Sequence, residues 1–137
     1  MTFVKTKLFA LSAISFALLT GFGAPKHSSV EPKTKVVGDQ LEIELLVKPN
    51  PGMKLTPEGP WSVTFTQAPG LKLDMKDGKF VDKSFDEKIP GFKISAPIDG
   101  KATAGKIDYD LRAFVCTEDK KQCFPQQHKG SFDWKKS

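Results

Sequence analysis

"LEIELLV", residues 41–47, places Leu41, Ile43, Leu45 and Val47 at every second position, with Glu42, Glu44 and Leu46 between them. Side chains on an extended strand alternate between faces, whereas a helix needs apolar residues three and four apart, so this stretch predicts a half-buried strand. The same period recurs in "WSVTFTQ", residues 61–67, where Trp61, Val63 and Phe65 oppose Ser62, Thr64 and Thr66. It recurs again in "GKIDYDLRAFVC", residues 105–116, with Ile107, Tyr109, Leu111, Ala113 and Val115 forming the core side. Along the second face of that strand polarity reverses, from Asp108, Asp110 and Arg112 to Phe114 and Cys116. Something must cover the apolar end.

Shorter strands are predicted at "LKL" near residue 72, "KFV" near 80, "GFKISA" near 93 and "GSFDW" near 132. The joints between them are rich in Gly and Pro, as in "KPNPGM", "TPEGP", "IPG" and "APIDG". Seven or eight strands with such punctuation predict an all-β fold, an antiparallel β-sandwich of immunoglobulin-like size. Two connections, residues 48–60 and 74–88, are long for simple hairpins, and long loops on a rigid sandwich are where function concentrates.

The chain opens on Lys5 and Lys7 ahead of an apolar run, "LFALSAISFALL", at residues 8–19. That layout predicts a signal-peptide helix over residues 1–23, cut after Gly23, because the run falls short of the roughly 20 residues a membrane span needs. Residues 24–35, "APKHSSVEPKTK", read as a loose leader, and the domain as residues 36–137 with its first strand near Val36. The expected product is exported, soluble after processing and without a membrane anchor. The net charge of +5 falls to +3 once Lys5 and Lys7 are removed. Lysines and acids interleave without a basic stripe, and the aromatic residues read first as core, so nucleic-acid binding is excluded.

Both cysteines lie in "FVCTEDKKQCFP", residues 114–125. Six polar residues separate them, so Cys116 and Cys123 can face each other across an antiparallel hairpin, at a Cα spacing of about 4.5 to 5.5 Å that permits a disulfide. Pro125 lacks an amide donor, which predicts an edge strand or pairing that begins only after it. As a staple the bond would stabilise the fold by about 2.5 kcal/mol, modest for a short loop. Three readings stay open on these residues: a structural staple, thiol-disulfide exchange, or metal binding. Glu118 and Asp119 are offset by Lys120 and Lys121, so local charge does not single out an activated thiol.

The segment "YDLRAFVCTEDKKQCFP", with "PEGPWSVTF" and "IPGFKISAP" before it, resembles the N-terminal periplasmic domain of the thiol:disulfide interchange protein DsbD family over roughly residues 36–135. The resemblance implies an immunoglobulin-like sandwich and a protein-disulfide reductase or interchange component, with Cys116 and Cys123 as the redox pair. It also implies thioredoxin-like periplasmic proteins as partners and no cofactor. In the family an aromatic ring on a cap loop shields the disulfide; "KDGKFVDKSF" matches that loop in position, making Phe80 the implied cap and Phe85 the second choice. Either would cover the apolar end at Phe114. By position Asp77 matches a buried carboxylate near the pair. The family's membrane domain and thioredoxin-like domain have no counterpart in these residues, so a membrane thiol-reductant transporter is implied as a separate donor. The alternative is a secreted, non-enzymatic binding module whose disulfide only pins a hairpin.

Other chemistries find little support. His27 and His128 lie far apart without Asp or Glu at ligand spacing, and read as surface polar residues rather than a zinc site. No G-x-S-x-G elbow frames a serine. Asp108 and Asp110 share a strand face beside Arg112 and read as solvated charge. Trp61 and Trp134 are expected to anchor the core.

Overall fold

The computed structural model describes residues 26–136, and all of its regular structure is β-strand. The signal-peptide helix and cleavage site expected over residues 1–23 lie outside the described residues. Two antiparallel sheets pack face to face as a β-sandwich. The smaller contains β1 (Ser28–Val37), β2 (Gln40–Pro49) and β6 (Gly91–Pro97), in the order β1-β2-β6. The larger contains β3 (Met53–Leu55), β4 (Ser62–Gln67), β5 (Phe80–Asp82), β7 (Ala104–Thr117) and β8 (Cys123–Lys135).

The alternation in residues 41–47 works as predicted. Leu41, Ile43, Leu45 and Val47 are buried. In register they oppose Ala96, Ile94 and Phe92 of β6 on one side and Val36 and Val30 of β1 on the other. The facing sheet supplies Val63 and Phe65 from β4 and Ile107, Tyr109, Leu111, Ala113 and Val115 from β7, all buried. Each large aliphatic or aromatic side chain taken from water there contributes roughly 1.5 to 3 kcal/mol, which is what holds the two sheets together. Trp61 and Trp134 are buried, as expected of core anchors.

β7 is the spine of the larger sheet. One edge carries β8 from Ala104↔Lys135 to Cys116↔Cys123 without a break. The other edge is shared, with β4 paired along Asp108–Arg112 and β3 along Val115–Thr117. That arrangement brings the 48–60 connection, rather than a distant loop, to the cysteine end of β7.

Two expectations need correction. The stretch read as a loose leader is strand from Ser28 onwards, so the fold begins well before Val36. Alternation is hard to see there because β1 is an edge strand whose middle carries Glu31, Pro32, Lys33 and Lys35; a proline is tolerated on an edge, where an amide donor can be spared. The turn that follows has Gly38 at φ +62, a left-handed position that favours glycine, and returns the chain directly into β2. "LKL" near residue 72 forms only an isolated bridge, Leu71↔Ile98, whereas β3 was hidden inside a stretch read as loop.

Candidate functional site: a half-exposed disulfide at a hairpin end

Cys116 and Cys123 end the β7–β8 ladder as a directly opposed pair and are joined by a disulfide, S–S 2.08 Å. The amide of Thr117 donates to the carbonyl of Gln122 at 2.8 Å. That makes 117/122 a hydrogen-bonded pair and 116/123 a non-hydrogen-bonded one, the kind in which side chains lie closest. The Cα atoms are 3.9 Å apart. By the same alternation Pro125, opposite Phe114, points its nitrogen away from β7, so the edge strand runs through the proline without losing a ladder bond.

The loop between the cysteines is a tight turn, as its polar sequence predicted. The amide of Lys120 donates to the Thr117 carbonyl, and Lys120 takes φ +63. The Asp119 carboxylate accepts from the Thr117 hydroxyl and the Lys121 amide. These bonds hold its carboxyl below the usual carboxylate range, the Thr117 hydroxyl first.

The two sulfur-bearing residues are not equivalent. Cys116 is 3% exposed, whereas Cys123 is open to solvent. The cover over Cys116 is the loop at residues 56–60, "TPEGP". Its Thr56 hydroxyl donates to Cys116 Sγ at 3.1 Å, and its Thr56 amide donates to the Phe114 carbonyl at 3.1 Å. The Thr56 carbonyl accepts from Trp61 Nε1 at 2.7 Å and from the Gly59 amide at 3.3 Å. Gly59 lies so close to Phe114 that a Cβ built on it would fall 2.3 Å from that side chain, so only a glycine lets the loop close down here. Lys54 of β3 stands opposite Cys116 in register and so shares its face.

The apolar end at Phe114 and Cys116 is therefore covered, but not by the residues expected to do so. Phe80 sits in β5, opposite Phe65, and their rings stack at a centroid distance of 5.5 Å. Phe65 in turn pairs with Tyr109, seven residues along β7 from Cys116, roughly 23 Å at the rise of a strand. Phe80 is thus no cap on the disulfide. Phe85 stacks on Trp61 at 3.8 Å and meets Phe92 edge-on, plugging the space between the sheets. Its link to the disulfide is indirect, through Trp61 and Thr56. Asp77 is exposed in a turn at φ +55, not buried beside the pair. The mismatch has one cause: β5 adds to the outer edge of β4, which carries residues 74–88 away from the hairpin, while β3 ties residues 53–55 directly to it. Of the expected cover residues only Phe114 stands at the site, half-buried and two positions from Cys116.

Thr56 and Gly59 were not singled out by sequence reasoning. The usable signal was the length of the 48–60 connection; its contact with Cys116 is a matter of strand order. His128 is a further correction: it is buried, opposite Leu111 on the core face of β8. Ser28 Oγ lies 2.9 Å from His128 Nε2 and donates to Gln126 Oε1 at 3.2 Å. This polar seam fastens the start of β1 to β8, closing one side of the sandwich. The His27 ring meets that of Phe124 beside it in a tilted contact, with centroids 4.2 Å apart. Among the described residues, no group of three or more His, Cys, Asp or Glu is arranged to hold a metal ion.

Below the disulfide on β8, Pro125, Gln126 and Gln127 join Pro60, Arg112 and Lys26 around a cavity of about 410 Å³. Fold and site together define an antiparallel β-sandwich that carries one disulfide, half-buried and half-exposed, at the end of an edge hairpin. Comparison of the chain with protein families, curated proteins and solved structures finds no match. Among the described residues no helix is long and apolar enough to cross a membrane.

Proposed function

We propose that this domain exchanges thiols and disulfides with thioredoxin-like proteins of the periplasm or another exported compartment, through Cys116 and Cys123. The reading follows the resemblance to the DsbD N-terminal domain, and one observation carries it: one residue of the disulfide, Cys123, is exposed to solvent while its partner Cys116 is buried. Exchange proceeds by attack of a thiolate on one sulfur of a disulfide. An incoming protein thiolate attacks Cys123 Sγ, the Cys116–Cys123 bond breaks, and Cys116 leaves as the thiolate. A second thiolate on the partner then attacks the partner's own sulfur in the mixed disulfide and releases Cys123. Two electrons pass to the domain, and the partner leaves as a disulfide. In the opposite direction Cys123 attacks, and Cys116 resolves the mixed species. A membrane thiol-reductant transporter is the class of donor this scheme requires. The cavity lined by Pro125 offers a partner a concave surface two residues along β8 from Cys123.

The burial of Cys116 also suits a second reading, in which the bond only pins the hairpin of a secreted binding module. Equilibration of the folded protein with dithiothreitol or glutathione buffers separates the two. An exchange-active bond has a reduction potential above about −300 mV, whereas structural bonds lie below it. Cys116→Ala is expected to trap a mixed disulfide through Cys123 with a thioredoxin-like protein. A bond that resists reduction until the domain unfolds, with no trapped adduct, would overturn the exchange reading.

A further inference from the structure

β3 is held on β7 by its backbone ladder, and the hydroxyl bond from Thr56 to Cys116 is additional to that ladder. The rest of the Thr56 environment fixes that hydroxyl in place: its amide is bound to Phe114, its carbonyl to Trp61 and Gly59, and Gly59 abuts the Phe114 ring. We propose that Thr56 is a catalytic hydrogen-bond donor, whose hydroxyl receives the negative charge that develops on Cys116 Sγ when the disulfide opens. This inference rests on the exchange reading and names the residue that makes the sheltered sulfur a competent leaving group.

The argument is a competition between two effects. Cys116 is almost wholly removed from solvent, and burial in apolar surroundings disfavours a thiolate. A poor leaving thiolate slows exchange, because the sulfur that departs must carry the electron pair of the broken bond. A hydroxyl donor already 3.1 Å from that sulfur opposes the penalty, and hydrogen bonds to charged acceptors are the stronger kind. Lys54, on the same face, adds positive charge but is exposed and screened by solvent. No proton has to move from Thr56. The hydroxyl stays protonated and donates, and the thiolate later takes a proton from water or attacks the mixed disulfide.

The test uses two backgrounds. In Cys123→Ser the lone Cys116 can be titrated by thiolate absorbance without any partner protein. Adding Thr56→Val, which keeps the shape and removes the donor, is expected to move ionisation of Cys116 to higher pH, and Thr56→Ser is expected to restore it. In the chain with both cysteines, Thr56→Val is expected to slow reduction by dithiothreitol by about tenfold or more, as loss of one hydrogen bond to a charged group predicts. Restoration by Ser distinguishes a lost donor from a disturbed loop. If Cys116 ionises at the same pH with Thr or Val at position 56, and reduction is equally fast, the proposal is wrong even though exchange itself stands. A disulfide inert to thiol buffers would instead remove the exchange reading, while the titration of lone Cys116 would still report on Thr56.

Discussion

Cys116 and Cys123 are the same chemical group in one covalent bond, yet their neighbourhoods differ. Cys116 lies between two strands, with β8 on one edge and β3 on the other, under the loop that Gly59 allows to close. Cys123 is on the edge strand β8 and is exposed. Thiol reactivity follows thiolate character and access, so in the reduced, folded protein a substoichiometric alkylating reagent is expected to label Cys123 ahead of Cys116. Mass mapping of the labelled peptides checks it; equal labelling under native conditions would mean that the 56–60 loop does not shelter Cys116. The polarity reversal that ends at Phe114 and Cys116 was legible in the sequence, and it correctly called for a cover. Which residues provide the cover was not, because alternation gives the face of a side chain but not the strand that will lie beside it.

At the level of elements, the seam between β1 and β8 is where the sandwich closes through polar rather than apolar contacts. Burial, and then the charge of Lys26, hold the His128 imidazole below the ordinary histidine value of 6.5. Its neighbours are Ser28 from β1 and Gln126 from β8. Well above pH 6.5 this histidine is neutral in both folded and unfolded chains and exerts no pH effect. As pH falls through that value the unfolded chain takes up a proton the folded one resists, so stability declines with acidification until the folded-state value is also passed. Denaturant midpoints measured from about pH 7.5 to about pH 5 should show that slope, and His128→Gln should flatten it. An unchanged slope in the variant would assign the acid sensitivity elsewhere. Sequence reading left this seam unseen: His128 follows a proline and two glutamines, and only the continuous register of β8 through Pro125 turns it inward.

For the molecule as a whole, the core formed by β2, β4, β6 and β7 is independent of the disulfide, which closes only a short loop at one corner. Reduction is therefore expected to leave the domain folded, with a loss of about 2.5 kcal/mol on the chain-entropy estimate. The change should appear as a lower denaturant midpoint with an unchanged slope. Collapse of the reduced form would show that the staple, not the core, holds the sheets together. A fold that survives both redox states is also what reversible exchange demands.

The period-two patterns of residues 41–47, 61–67 and 105–116 determined by themselves that the chain would be β-structured and which face of each strand would be buried, and the polar spacer between the cysteines allowed them to face each other across a hairpin. These are local facts, fixed by the alternation of side chains along an extended backbone. The tertiary structure decided the rest: that Ser28–Val37 is a strand, that His128 is buried, and that residues 56–60 rather than 74–88 cover Cys116. Each depends on which strands become neighbours. That choice is made by packing and edge pairing between segments far apart in the chain, and no local repeat encodes it.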